Sequence, residues 1–401
     1  MNEATRQFVL QHSSDDVRLL ALKGCRNAEV DLPMALQQIQ GRQAARQKLP
    51  LWAETNGILF PPHLALEQCS SQYTAHYKAH IVDSITDKAQ RRLLVDLTGG
   101  YGVDFAMMAP LFQKAVYVER QEELCTLARH NFNLLPALAG KATVVQADAV
   151  DFLNRMENHA SMVFLDPARR DNNGQRTFGM ADCTPNVLTI IDTLLNRADH
   201  VLLKLSPMLD WRKAVADVGA GCVEQVHIVA TGGECKELLL LLSPQGSSEP
   251  LLVCAHDDSS EAFPLSDSHL QNVDTAFGQP QVGDFLYEPH AALMKGGRYG
   301  ELAQRYAVAP LAPNSHLFTS KLPATDFPGR SFQVCAVSSM NKRELKAIVM
   351  PLRQANITVR NFPLTVAELR SRLKLSEGGS NYVFATTLAN RDRVLLVCRR
   401  L

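Results

Sequence analysis

The chain has 401 residues, 46% hydrophobic and 20% charged, with 41 Lys or Arg balanced by 41 Asp or Glu. That composition excludes a disordered or collagen-like chain, and the length allows two or three domains with full cores. No stretch has the roughly 20 apolar residues of a membrane span, and Met1-Asn2-Glu3-Ala4-Thr5-Arg6 lacks the basic and then apolar plan of a signal peptide, so a cytoplasmic protein is expected. The nine cysteines form no Cys-x-x-Cys pair and read as reduced, mostly buried thiols. His76 and His80 lie four apart without a third ligand, so no metal is expected.

In chain order, residues 1–85 carry helical apolar spacing, as in Phe8, Val9 and then Val17, Leu19, Leu20, and predict a helical leader. From about Arg91, apolar strands alternate with amphipathic helices: Leu93–Asp96, Ala115–Glu119, Ala142–Val145, Met162–Asp166 and Val201–Leu205. Such strands imply a parallel sheet covered on both faces. Val223–Val229 and Lys236–Leu242 flank a Gly232-Gly233 turn too short for a crossover, which predicts an antiparallel pair.

Two motifs sit on this frame. Asp96-Leu97-Thr98-Gly99-Gly100-Tyr101-Gly102 joins the first strand to a helix start, where a backbone approaches a ligand closely and aims free amides at it. Asp166 ends a later strand, at the edge where open α/β sheets bind substrates.

Charge is uneven along the chain. Residues 331–401 hold twelve Lys or Arg against four Asp or Glu, a net of +8, and residues 248–330 hold five against ten, a net of −5. A basic terminal module points to a polyanion partner, although it also reads as a solvated basic face.

Five parallel strands ending in an antiparallel pair resemble the sheet of class I S-adenosylmethionine methyltransferases, whereas a dinucleotide dehydrogenase continues with helical crossovers. The resemblance implies a seven-stranded, Rossmann-like α/β sheet and S-adenosyl-L-methionine as cofactor. It places Asp96, Gly99, Gly100 and Gly102 in the cofactor loop, with Thr98 where a first glycine is usual. It sets Glu119 on the ribose hydroxyls and Asp148 on the adenine amino group. A carboxylate accepts both hydroxyls of a vicinal diol, in charge-assisted bonds of about 1.5–3 kcal/mol each. From the residues alone, Glu119 also reads as a solvated acid and Asp148 as a helix cap.

Asp166-Pro167-Ala168-Arg169 resembles the Asp/Asn-Pro-Pro-aromatic tetrapeptide of amino-methylating members of the fold. There the acid and the next backbone carbonyl accept hydrogen bonds from an exocyclic amine, and positioning supplies much of the rate. By that likeness Asp166, Pro167 and Arg169 are the catalytic residues. The aromatic is missing, and Arg169 and Arg170 follow, whose guanidinium planes stack on a base or clamp a phosphate. The arginine is also similar to that of the Asp-Pro-Pro-Arg motif in RNA 5-methyluridine methyltransferases. Those enzymes need a cysteine after the fifth strand. Lys204-Leu205-Ser206-Pro207 stands there, so a covalent pyrimidine mechanism is not expected. Lys204 either approaches the acceptor or the cofactor carboxylate, or snorkels to solvent, and the Asp-Pro step also reads as a plain strand-ending turn.

Over nearly its whole length the chain resembles a group of bacterial methyltransferases with a ferredoxin-like segment and a C-terminal THUMP-like domain. The matching strings are Ser70–Ala79, Phe285–Lys295, Phe327-Pro328-Gly329-Arg330, Arg360-Asn361-Phe362-Pro363-Leu364, Ala367-Glu368-Leu369-Arg370 and Leu375–Thr387. This implies a helical segment at 1–85, a methyltransferase domain at 86–247, a ferredoxin-like α+β domain at 248–330 and a THUMP-like α+β domain at 331–401. The substrate implied is structured RNA, tRNA or rRNA. Lys342, Arg343 and Lys346 on one predicted helix, and Arg370 and Lys374 on a second, are candidate phosphate contacts; each also reads as a solvated charge. Two rivals remain: a methyltransferase of a protein or small molecule, and an RNA-binding protein with an inactive methyltransferase fold.

Overall fold

The computed structural model describes residues 1–169, 179–266 and 276–401. It has two compact units, residues 1–224 with 237–248 and residues 225–236 with 249–401.

The first unit opens with helices α1 (Glu3–Gln11), α2 (Val17–Lys23), α3 (Leu32–Lys48), α4 (Pro50–Glu54), α5 (His63–Gln68) and α6 (Gln72–Ile85). Their starts follow from sequence: Asn2, Asp16, Asp31 and Ser71 each cap a helix by accepting a backbone N–H. The strands are β1 (Leu93–Asp96), β2 (Lys114–Glu119), β3 (Ala142–Gln146), β4 (Ala160–Leu165), β5 (Ala198–Leu205), β6 (Val223–Thr231) and β7 (Glu234–Leu242), followed by β8 (Leu251–His256) and β9 (Ser259–Pro264). Between them lie α7 (Val103–Met108), α8 (Glu122–Asn133), α9 (Ala149–Arg155), α10 (Val187–Arg197) and α11 (Trp211–Val218).

In the first unit the strands run β7-β5-β4-β1-β2-β3, parallel except for β7, which pairs antiparallel with β5. All six residues of β4 are buried, as a central strand of a sheet covered on both faces requires.

The sheet has nine strands where the sequence reading predicts seven, because β8 and β9 add to it beyond β6. β8 pairs in parallel with β6, from Leu251 opposite Gln225 to His256 opposite Ala230, and β9 turns back on β8. Without β8, the apolar β6 would present an unpaired edge. The Ser- and Pro-rich stretch at 243–250 reads as a domain linker, which hides these two strands from a sequence reading.

The second unit also holds a seven-stranded sheet. Its strands are β10 (Phe285–Pro289), β11 (Ala309–Pro310), β12 (Phe318–Ser320), β13 (Gly329–Ser339), β14 (Asn356–Arg360), β15 (Asn381–Thr387) and β16 (Arg393–Arg400), in the order β11-β12-β10-β13-β16-β15-β14. Side chains alternate between two cores: Val383, Ala385, Leu395 and Val397 join Leu369 and Leu373 on one face, while Phe384, Leu396 and Cys398 join Leu286 and Phe332 on the other. Gly329 opposes Pro289 in the β10–β13 pair, and a Cβ there would meet the Glu288 carbonyl oxygen at 2.1 Å, which explains the glycine of the Phe-Pro-Gly-Arg string. Glu288, 3% exposed, accepts from both Arg330 and Arg360 and so ties β10 to β13 and β14.

Candidate functional site

The site lies at the carboxyl ends of β1, β2, β4 and β5. After Asp96 the chain turns through the glycine loop into α7, with Gly100 and Gly102 at φ 55° and 86°. A Cβ on Gly99 would stand 2.1 Å from the Tyr117 ring, and one on Gly102 would stand 2.7 Å from Phe132. Glycine is thus required here by the aromatic floor, Phe105, Tyr117 and Phe132, as much as by any ligand above it. The Tyr117 hydroxyl donates to the Gly100 carbonyl and pins the loop from below.

Glu119, 8% exposed, accepts the Gly100 N–H on Oε2 at 3.0 Å and the Gln121 N–H on Oε1 at 2.9 Å. Both oxygens are thereby fixed, and each retains a lone pair for a further donor. Above Gly100 a Cβ would find no atom nearer than 3.8 Å. An oriented carboxylate beside open space over a glycine loop fits a ribose diol. Asp148 is exposed and caps α9 through Oδ1, which accepts from Val150 N at 2.9 Å and Asp151 N at 3.3 Å.

Asp96 is buried and accepts the Thr98 N–H at 3.0 Å. Burial pushes its carboxyl well above the ordinary range; the Thr98 N–H opposes this, and Asp104, Asp166 and Glu119 add to it. Thr98 has a second task, because its hydroxyl accepts the Asp166 backbone N–H at 2.6 Å. The residue that departs from the usual glycine pattern is therefore the link between the loop and the end of β4.

Asp166 receives Lys204 Nζ on Oδ2 at 2.5 Å, with 36% of the acid side chain exposed and 12% of the lysine. The snorkelling alternative for Lys204 is overturned, since its ammonium is buried against a carboxylate. Burial works against that ammonium, yet Asp166, Glu237 and Asp104 raise it above its ordinary value. Burial also raises the Asp166 carboxyl, with Lys204 opposing. Pro167 follows, and the Ala168–Arg169 backbone pairs with Cys183–Thr184. Arg170 lies outside the described residues.

Behind this pair stands a cluster that the sequence reading missed. Lys78 of α6, fully buried, lies 2.5 Å from Glu237 Oε2, 3.1 Å from Asp104 Oδ1 and 3.3 Å from Ser70 Oγ. Burial works to raise the Glu237 carboxyl, but Lys78 and Lys204 beside it bring it below its ordinary value. The readable signal was Glu237 itself, the charge that directly precedes the apolar run Leu238–Leu242.

The basic candidates belong to the second unit. Lys342 and Arg343 lie in the single turn Lys342–Glu344, and Lys346 lies in a π-helical turn, Leu345–Val349, rather than in one continuous α-helix. All three are exposed. The other basic helix is Val366–Leu373, with Lys374 exposed at its left-handed C-cap, while Arg370 is half-buried and donates to the Ala355 carbonyl at 3.3 Å. Among the described residues, no group of three His, Cys, Asp or Glu could hold a metal ion, and no helix is long and apolar enough to cross a membrane.

Residues 285–328 match the model of a ferredoxin-like domain, and residues 329–400 match that of a THUMP-like domain. A solved structure from Porphyromonas gingivalis W83, described as a "putative methyltransferase", is 30% identical, with a TM-score of 0.87 over 99% of this chain and 97% of its own. The chain belongs to this bacterial methyltransferase family. In this chain the ferredoxin-like and THUMP-like matches follow the sheet that carries the glycine loop. A SAM-dependent methyltransferase from Agrobacterium tumefaciens is 16% identical, with a TM-score of 0.32 over 43% of this chain and 61% of its own. An rRNA methylase from Streptococcus thermophilus is 13% identical, with a TM-score of 0.33 over 43% of this chain and 96% of its own. No curated protein matches the sequence.

Proposed function

We propose that this family member is an S-adenosylmethionine-dependent methyltransferase that modifies a base nitrogen in structured RNA, tRNA or rRNA. The observation that carries the reading is the Thr98–Asp166 hydrogen bond, which joins the loop built for the cofactor to the acid built for the acceptor. The cofactor supplies an electrophilic methyl group on a sulfonium. Asp96, the Thr98–Gly102 loop and Glu119 hold it, with Asp148 at the adenine end.

Lys204 occupies Asp166 Oδ2, which leaves Oδ1 to accept from an exocyclic amine. That hydrogen bond and the Pro167 carbonyl turn the nitrogen lone pair toward the methyl carbon. When bound, the cofactor would supply the methyl group to that nitrogen at the expense of its own C–S bond, and the proton the nitrogen sheds would pass to solvent. Positioning of this kind accounts for a large part of the rate. Arg169 and Arg170 are proposed to stack on the base or hold a phosphate.

The segments proposed at 248–330 and 331–401 hold the RNA, through Lys342, Arg343, Lys346 and Lys374 on phosphates, with Arg370 in a mainly structural place. Asp166→Ala tests the reading: affinity for S-adenosylhomocysteine should stay within about twofold while methyl transfer to RNA falls about a hundredfold or more. Equal loss of both would make Asp166 a structural or cofactor residue.

A further inference from the structure

We propose that Lys78, on leader helix α6, is a positioning residue: by occupying Glu237 and Asp104 it keeps Lys204 committed to Asp166. The proposal rests on the methyltransferase reading above and assigns a part of the acceptor site to the leader.

In the antiparallel pairing of β5 with β7, Lys204 lies opposite Leu239. Glu237 is two residues along β7 and so on the same face as Lys204, a diagonal neighbour at roughly 7–8 Å between Cα atoms, within reach of a lysine side chain. Lys204 thus has two carboxylates to choose from, Asp166 and Glu237. The choice is settled because Glu237 already has a partner, Lys78 Nζ at 2.5 Å, which also meets Asp104 at 3.1 Å. Ser70 and Thr74, on the same leader, add to the cluster: the Ser70 hydroxyl is 2.7 Å from Asp104 Oδ2 and 3.2 Å from Glu237 Oε1, and the Thr74 hydroxyl donates to Glu237. Removing the Lys78 ammonium leaves Glu237, 4% exposed, as a buried charge without its counter-ion. Lys204 is then drawn across the face toward Glu237, and Asp166 loses the contact that fixes Oδ2. A lysine that served only to dock α6 would have no such effect on Lys204.

The test uses the full chain labelled on lysine side chains, with the NMR signal of Lys204 assigned by Lys204→Arg. Lys78→Met should displace the Lys204 signal and reduce kcat for transfer to total RNA about a hundredfold, as misplacement near 1 Å does, with S-adenosylhomocysteine affinity nearly unchanged. Lys78→Met/Glu237→Gln, which restores the charge balance, should return the Lys204 signal and most of kcat. An unmoved Lys204 signal in folded Lys78→Met overturns the proposal, as does a folded double variant with Lys204 still displaced. If Lys78→Met does not fold, the double variant decides alone. If the wild-type chain transfers no methyl group to RNA, the proposed function fails, and the Lys204 signal still decides the role of Lys78.

Discussion

Glu119 carries the clearest single-residue expectation. Its two oxygens are aimed by Gly100 N–H and Gln121 N–H before any ligand arrives, so little orientation remains to be gained on binding. Glu119→Ala should weaken S-adenosylhomocysteine binding at least about tenfold by calorimetry, from the loss of one charge-assisted hydrogen bond or more. Unchanged affinity would remove Glu119 from the cofactor site. The placing of Asp96, Glu119 and Asp166 at or just after the ends of strands was readable, because an apolar run that stops at an acid marks where a buried strand ends. Lys78 was not readable, since a lysine inside a polar helix normally faces water, and only the fold shows that Glu237 and Asp104 wait for it. Thr98 was read as a mere substitute for glycine; its bond to Asp166 depends on the spacing of β1 and β4, which no local pattern encodes.

Helix α12 (Ala291–Gly296) begins at His290, whose Nδ1 accepts the Leu293 N–H at 3.4 Å and whose ring stacks on His256 at 5.0 Å. Burial, reinforced by His256 and opposed by Asp257, pushes the His290 imidazole down to about 4. Between that value and the ordinary 6.5 the unfolded chain takes up a proton that the folded chain refuses. The stability His290 supports is therefore intact above about pH 6.5 and is lost as pH falls toward 4, by at most about 3 kcal/mol. His290→Asn keeps a capping side chain without a titrating ring. Urea unfolding at pH 7.5 and pH 5 should show a smaller loss for the variant than for the wild type, and equal losses would contradict this account. The parallel strands and the glycine hairpin between β6 and β7 followed from apolar runs and turn residues. β8 and β9 did not, because a five-residue apolar run after a Ser- and Pro-rich stretch carries no mark of which sheet it joins.

Across the whole chain, charge is segregated by segment, and the net +8 of residues 331–401 offsets the acid elsewhere. Lys342 and Lys346 are exposed and aimed away from the core that holds Leu345 and Val349. If both contact phosphate, Lys342→Glu/Lys346→Glu should reduce the slope of log K against log salt for RNA binding by about 1.5–2. A slope equal to the wild type would exclude them from the interface. The order of segments was readable because the family strings span the chain, whereas the continuity of one sheet from β10 of the ferredoxin-like segment into β13 of the THUMP-like one was not. That continuity depends on Gly329 admitting the Glu288 carbonyl and on Glu288 gathering Arg330 and Arg360.

Methyl transfer from S-adenosylmethionine to RNA is measured by incubating the full chain with methyl-labelled S-adenosylmethionine and with fractionated tRNA, rRNA and protein from cells lacking it. Label should enter one RNA fraction with the wild-type chain and not with Asp166→Ala, and nucleoside mass spectrometry should then place it on a base nitrogen. Label in protein or small molecules alone, or no label from a chain that binds S-adenosylhomocysteine, would contradict the account.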